Sequence, residues 1–454
     1  MPIPVDDEHG LPPGPRSPAV WQLLRYSHSP LPFLEGCARR YGDPFTIRIA
    51  GYGQFVMLAD PPTIREVFRA DPQVLHSGEA NEFLSVTVGE NSVLVLDDEP
   101  HARQRRILLP PLKGERMRSF FDAMVAATLD EARAWPLGQT IRMEPPMRAI
   151  TARVILRAVL GLQPGAELTR LEALVHNLLA TTRTRYSLIM MKLTPQRLLR
   201  NVPGVPFFKQ LRELDRAIHL LAAARRQLPP ERRGDNVLAD LLAAAHDDGR
   251  PLDDAEIRDA VVTILVAGHD TTAIALAWAL EQIVPRADVV GRIVAELTEI
   301  TSGQPLRAEH LPRLTYLDAA IREALRMRTI LPFVVRTVKR TFAAGGREYS
   351  PGVTLCPASH LVHRRDDLYP QPGEFRPERF LERTYAGHEW FPFGGGNRTC
   401  LGMAFALYEM KVVLATLFSR VELTRPTGAH SHAVRRGIAL APHDGARMIV
   451  TRRR

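Results

Sequence analysis

Apolar residues recur at three- and four-residue spacing from about Pro100 to Leu325, the period of helices that each bury one stripe. Two stretches depart from it. Between Arg40 and Pro61, the runs Phe45-Thr46-Ile47-Arg48-Ile49 and Phe55-Val56-Met57-Leu58 flank the turn Gly51-Tyr52-Gly53, which predicts a small sheet. Val334 to Thr354 predicts a second β-rich stretch turning at Gly345-Gly346, and roughly the last 35 residues predict a final hairpin. The chain thus reads as mainly α with small β regions. Its prolines fall in short clusters such as Pro110-Pro111, Pro145-Pro146 and Pro229-Pro230. These read as helix boundaries within one body, so a single domain is expected over 1–454, with 1–10 a disordered tail.

One pattern stands apart. Asp253 or Asp254 caps a helix predicted to run to Ile283, just before Pro285, about 45 Å at the usual rise per residue. It is apolar nearly all round, through Val261, Val262, Ile264, Leu265 and Val266 and again from Ala273 to Leu280, and is therefore expected to be buried. Its centre, Ala267-Gly268-His269-Asp270-Thr271-Thr272, breaks that rule. Glycine lowers helix propensity and a buried carboxylate must be desolvated, so these residues need a reason. A kink with Thr271 bonded back to the preceding turn is one reason; chemistry is the other. His269 reads as a packing or ion-pairing residue.

Composition narrows the classes. Hydrophobic residues make up 45% of the chain, ample for a large core. Cys37, Cys356 and Cys400 are too far apart for a disulfide framework or a zinc site. Cys37 and Cys356 read as packing residues, and a reducing, cytoplasmic compartment is expected. Met1 to Gly10 is polar and acidic, unlike a signal peptide. Only ten residues precede Leu11-Pro12-Pro13-Gly14-Pro15, against the roughly 20 apolar ones a membrane span needs, so a soluble protein without a transmembrane anchor is expected. The net charge is +9, but the basic residues are dispersed, among them Arg103, Arg105, Arg106, Lys113, Arg116 and the tail Arg452 to Arg454. That spread argues against nucleic-acid binding.

The chemistry concentrates at Phe393-Gly394-Gly395-Gly396-Asn397-Arg398-Thr399-Cys400-Leu401-Gly402. Glycines let a backbone come close to a flat group and adopt positive φ, and free N–H groups there can donate to a sulfur. This run matches Phe-x-x-Gly-x-Arg-x-Cys-x-Gly at every fixed position and resembles the heme-binding loop of the cytochrome P-450 family, the heme-thiolate monooxygenases. The resemblance covers approximately Leu11 to Val450. It implies the family's triangular prism, with the long central helix over heme b (iron protoporphyrin IX), Cys400 as axial thiolate and metal ligand, and O2 as co-substrate. A thiolate ligand favours O–O cleavage.

Further roles follow from the resemblance. Phe393 would cover the thiolate, with Gly394 in the loop, and Gly402 would let the next helix (Met403 to Leu417) pass close beneath the porphyrin. Ala267 and Gly268 would leave room for dioxygen, Thr271 would hydrogen-bond to it and Asp270 would relay protons. Glu323-Ala324-Leu325-Arg326 resembles the family's Glu-x-x-Arg helix, with Arg379 as third member of a buried triad. His101 and Arg105, four apart on a helix, with Arg336 and Arg398, would clamp the propionates. Relatives often carry prolines where this chain has Arg328-Thr329-Ile330-Leu331-Pro332, which leaves the path to Arg336 open.

The implied pocket is aliphatic: Phe83, Leu84, Val86 and Val88, then Ile189 and Met190 in a lid, then Val266, Ile330, Leu331, Phe333, Val334, Ile438 and Ala439. Fatty acids, terpenoids, steroids and other natural products fit such a lining. Arg183, Arg185 and Lys192 flank the lid, and one of them is the candidate grip for a carboxylate. Electrons are expected from a separate ferredoxin, or a flavodoxin, with its NAD(P)H-dependent reductase, steered by charge to a monomeric enzyme. The alternatives are a peroxygenase or isomerase on the same scaffold, or a heme-thiolate sensor that binds a gas or ligand without turnover.

Overall fold

A computed structural model describes residues 10–181, 183 and 205–454. Residues 1–9 of the expected tail 1–10, and the lid positions Ile189 and Met190, lie outside the described residues. The organising element is the helix Asp254–Ile283 (α3). Asp253 starts it with a reciprocal cap: its carboxylate accepts from Glu256 N, and the Glu256 side chain accepts from Asp253 N, satisfying donors that a helix start leaves free. Of the described helices, α3 is also the one long and apolar enough to cross a membrane. It lies in the core, with Ala260, Val261, Leu265, Ala273 and Leu276 at 0% exposure. Around it pack Glu144–Leu160 (α2), Thr315–Met327 (α4) and Met403–Arg420 (α5), while Asp98–Leu108 (α1) packs on the short helix Val237–Ala243.

The β structure is more divided than the sequence reading. Phe45–Ile49 (β1) and Gly53–Leu58 (β2) pair antiparallel, Ile47 opposite Phe55. They continue through Thr354–Pro357 (β5) and Arg336–Val338 (β4) to Leu75–His76 (β3), in the order β1-β2-β5-β4-β3. The Val334–Thr354 stretch is therefore split. Its ends join this sheet, whereas Phe342–Ala344 and Arg347–Tyr349 form a separate hairpin about Gly345 and Gly346, both at positive φ. The tail likewise makes two pairings in place of one hairpin. Ala433–Arg436 (β7) pairs with Ala439–Pro442 (β8). Arg447–Arg453 (β9) lies between Val421–Thr424 (β6) and the short strand Thr140–Arg142. Periodicity gives strands but not partners, because partners are chosen by long-range packing.

The helical body and the sheet have distinct apolar cores. The cysteine loop lies between them, with Phe393 and Leu401 on the first and Phe391 in the second.

Candidate active site

The loop around Cys400 is wound tightly. Cys400 N donates to Phe393 O at 2.9 Å and Gly394 N to Phe391 O at 3.0 Å. Gly394 and Gly396 adopt φ of +69° and +66°, a region in which side chains are strained. At Gly396 a Cβ would also meet Phe68 O at 2.3 Å. The Phe393 ring packs against Trp390, centroids 6.3 Å apart. Burial pushes the Cys400 thiol up, and the Gly402 N–H, Arg105 and the Met403 N–H pull it the other way. Yet Cys400 has an accessible surface. A residue both desolvated and accessible faces an internal space.

The long helix α3 carries an accessible interruption of its own. Ala267 is exposed, and Val266, Gly268 and Thr271 are half-buried, on a helix otherwise closed to solvent along its central turns. Thr271 Oγ1 donates to Ala267 O at 2.6 Å, the back-bonding arrangement. Gly268 serves a different neighbour from the one expected. A Cβ there would lie 3.2 Å from Ile155 Cδ1, so its missing side chain allows α3 to approach α2, and the accessible notch is left to Ala267.

Beneath the loop, Glu323, Arg326 and Arg379 form a closed ionic cluster. Arg326 donates to Glu323 through Nε at 2.7 Å and Nη2 at 2.9 Å, and Arg379 Nε donates to Glu323 Oε1 at 3.2 Å. Arg376 N donates to the same oxygen at 2.9 Å. Carbonyls of His363 and Glu374 accept from Arg326 Nη1 and Nη2, and that of Gln371 from Arg379 Nη2. The spacing three apart on one helix turn made the first pair legible, and the structure adds the backbone partners.

His101, Arg105, Arg336 and Arg398 come within electrostatic reach of one another. Burial, then Arg398 and Arg105, hold His101 down at about 4. The departure at Arg328 to Pro332 does not displace Arg336. It sits in β4 and donates to Gly395 O at 2.8 Å and to Ser77 Oγ at 2.8 Å. Burial, then Arg398, pulls it down to about 9. Arg398 differs from expectation: it pairs with Asp97 and donates to Leu96 O at 2.7 Å, leaving Nε buried without an acceptor.

Sequence reading missed the surroundings of Asp270. Arg148 Nε lies 2.6 Å from its Oδ1, and Arg183 Nη2 lies 3.2 Å from it. Burial pushes the Asp270 carboxyl up, but these two guanidiniums outweigh it and hold it below the usual range. Arg148 also pairs with Glu144 at 2.5 Å, and Glu144 with Arg436 at 2.5 Å. Glu144 and Arg148 stand four apart on α2, the spacing of an ion pair on one helix face, a signal the sequence did carry. Arg183, a candidate carboxylate grip, is thus committed to Asp270, while Arg185 and Lys192 lie outside the described residues. His269 is buried, with Nδ1 3.0 Å from Thr151 Oγ1, and makes no ion pair among the described residues.

The candidate pocket residues scatter. Leu84, Val86, Val266, Ile330 and Leu331 are half-buried. Phe333 contacts the rings of Tyr26 and Phe55, and Phe83 that of Tyr52. Val88 is 2% exposed, and Ala439 is buried against Ile274 and Trp278. Both are packing residues here. Ile438 is exposed at the β7–β8 turn, and Val334 leans on the cysteine loop, 3.4 Å from where a Gly394 Cβ would stand.

The described arrangement fits a heme. A Cβ at Gly402, beside Cys400, would meet no protein atom within 4 Å. Three buried or half-buried arginines, Arg105, Arg336 and Arg398, gather around His101 with one carboxylate, Asp97, among them and a guanidinium nitrogen of Arg398 to spare.

Comparison with known proteins agrees. The family model "Cytochrome P450" matches residues 11–445. The chain is 36% identical to cytochrome P450 135B1 of Mycobacterium tuberculosis, covering 97% of this chain and 91% of that one. It is 35% identical to cytochrome P450 138 of the same organism, covering 98% and 97%. Among solved structures, a retinoic acid-bound cyanobacterial CYP120A1 superposes with a TM-score of 0.85 at 22% identity over 100% of both chains. The heme domain of cytochrome P450DA superposes at 0.84 and 23%, covering 98% of this chain and 97% of that one. At those identities the likeness is one of fold.

Proposed function

The chain belongs to the cytochrome P450 family, of bacterial type, and from that premise we propose that it is a heme-thiolate monooxygenase acting on a hydrophobic small molecule, with Cys400 as the axial ligand. The observation that carries this is the pairing of an accessible Cys400 with an exposed Ala267 on the otherwise buried α3.

When bound, the heme supplies reductive activation of O2, with one atom entering a C–H bond of the substrate and the other leaving as water. The Gly402 and Met403 N–H groups temper charge on the Cys400 sulfur. Arg105, Arg336, Arg398 and His101 would hold the propionates. Gly394 and Phe393 would shape the loop against the thiolate, and Ala267 would leave room for dioxygen. The Glu323–Arg326–Arg379 cluster keeps the loop in place.

Thr271 donates a proton or hydrogen bond to dioxygen by giving up its bond to Ala267 O. Asp270 relays protons from outside, and a proton arriving there displaces one guanidinium. Arg183, on the longer 3.2 Å contact, is the weaker hold. Phe83, Leu84, Val86, Val266, Ile330, Leu331 and Phe333 contact the substrate. A separate ferredoxin or flavodoxin, with its reductase, supplies electrons. Its docking draws on fewer free charges than the sequence suggests, because Arg106 pairs with Glu99 and Asp247, and Arg116 with Asp235 and Asp240.

The reduced protein under carbon monoxide tests this. A strongly red-shifted Soret band, lost in Cys400→His, is the expected result; a band at the ordinary histidine-heme position in the wild type overturns it. For the proton path, Thr271→Ala is expected to consume NAD(P)H with less product and more peroxide. Unchanged product per NAD(P)H removes Thr271 from that path.

A further inference from the structure

Buried arginines in this protein come with their counter-charges. Arg148 has Glu144 and Asp270, Arg258 has Asp215 and Asp259, and Arg326 and Arg379 share Glu323. Arg336, without a carboxylate in contact, is bonded to three oxygens in the propionate set. Arg435 on β7 is the exception. It is 4% exposed, its Nε and Nη1 are buried and donate to nothing, and among the described residues no carboxylate pairs with it.

Its close neighbours are aromatic. The guanidinium stands 4.9 Å from the Tyr26 ring centroid, and its charge is felt at Tyr26 and Tyr52. Burial raises both phenols above their ordinary value, so they remain neutral and neither is a counter-ion. A cation–π contact offsets part of the cost of burying a guanidinium. It leaves two in-plane donors without acceptors, a cost of several kcal/mol in general for an uncompensated buried charge.

The setting explains what would meet those donors. Tyr26 contacts Phe333 at 5.9 Å between centroids, Phe333 contacts Phe55 at 6.4 Å, and Tyr52 contacts Phe83 at 6.0 Å. Tyr52, Phe55, Phe83 and Phe333 are only half-buried. They form a partly open aromatic wall leading from Arg435 to residues assigned above to the substrate.

We propose that Arg435 is a carboxylate-binding site at the end of the substrate pocket remote from Cys400, so that the substrate is an amphiphile with an apolar body and one carboxylate. This rests on the monooxygenase reading. It moves the anionic grip from Arg183, which Asp270 already neutralises, to the terminal β7–β8 hairpin. The carboxylate accepts from one of the two unpaired donors, Nε or Nη1, in a charge-assisted hydrogen bond, and the chain lies along Phe333 and Phe83.

The test uses the full-length, heme-loaded enzyme and medium- to long-chain saturated fatty acids beside their methyl esters. Affinity is read from the substrate-induced spin-state change and by calorimetry. The acid is expected to bind on the order of 10- to 100-fold more tightly than its ester, the range for hydrogen bonds to a charged group. Arg435→Leu should bring that ratio near one by weakening the acid alone, and should raise the unfolding midpoint of the ligand-free protein, since an uncompensated charge is gone. Arg435→Lys should keep part of the preference.

Equal affinity for acid and ester in the wild type overturns the proposal without any variant. So does a preference that survives in Arg435→Leu. The carbon monoxide spectrum of the same sample separates the two layers: a red-shifted band with equal affinities removes only the carboxylate site, whereas a histidine-type band removes the heme-thiolate reading itself.

Discussion

The buried ionic cluster beneath the cysteine loop and the one around Asp270 on α3 are built differently. On the cysteine side, Glu323, Arg326 and Arg379 leave no buried polar side-chain atom unpaired. On the helix side, the cluster around Asp270 leaves Arg148 Nη2, Arg183 Nε, Glu144 Oε2 and His269 Nε2 buried without partners. A closed network resists change, because any altered member strands another. An open one has spare donors and acceptors through which a water or proton can be passed. The first suits a support and the second a relay.

The comparison can be broken most forcefully at the closed cluster. Glu323→Gln is expected to cost about 3–5 kcal/mol, the usual penalty for removing one partner of a buried ion pair, and to abolish heme retention. Denaturant unfolding and heme content measure it; a loss under about 1 kcal/mol would mean the cluster does not support the loop.

The next effect belongs to the open cluster. His269 is held at about 4 by burial, then by the neighbouring guanidiniums against Asp270. Its folded value lies below the ordinary 6.5, so the unfolded chain takes up the proton first as pH falls. Its contribution is full above pH 6.5 and is lost progressively toward pH 4, on the order of 3 kcal/mol. Thermal unfolding across that window should show the decline, and His269→Gln should flatten it. The smallest effect sharpens the contrast: Arg183→Gln leaves Asp270 with Arg148 and should cost only about 1 kcal/mol. A cost matching that of Glu323→Gln would erase the distinction between the two clusters.

How much of this was written in the sequence depends on how local each feature is. The Asp253–Glu256 cap, the length of α3, the cysteine loop and the Glu323–Arg326 pair each lie within a few residues, and each is where the pattern put it. Arg379 came from the family resemblance and not from spacing. What could not be read is what distant segments choose as partners. Asp270 is bound by Arg148, 122 positions away, and the Val334–Thr354 stretch is divided between two sheets by packing rather than by its own period. Gly268 was legible as an anomaly but not as a contact, since only the fold shows that Ile155 lies opposite. Arg435 follows the same rule. In Ala433-Val434-Arg435-Arg436 alternation puts one arginine inward, but nothing local says which face that is.

Arg336 gives the loop a further part to play. It rises from the sheet and holds Gly395 O, while Phe393 and Leu401 rest on the helical body. The loop is thus a hinge pin through two separately packed cores. Cutting it at Arg336 would let the sheet and the helical body melt apart, turning one cooperative transition into two.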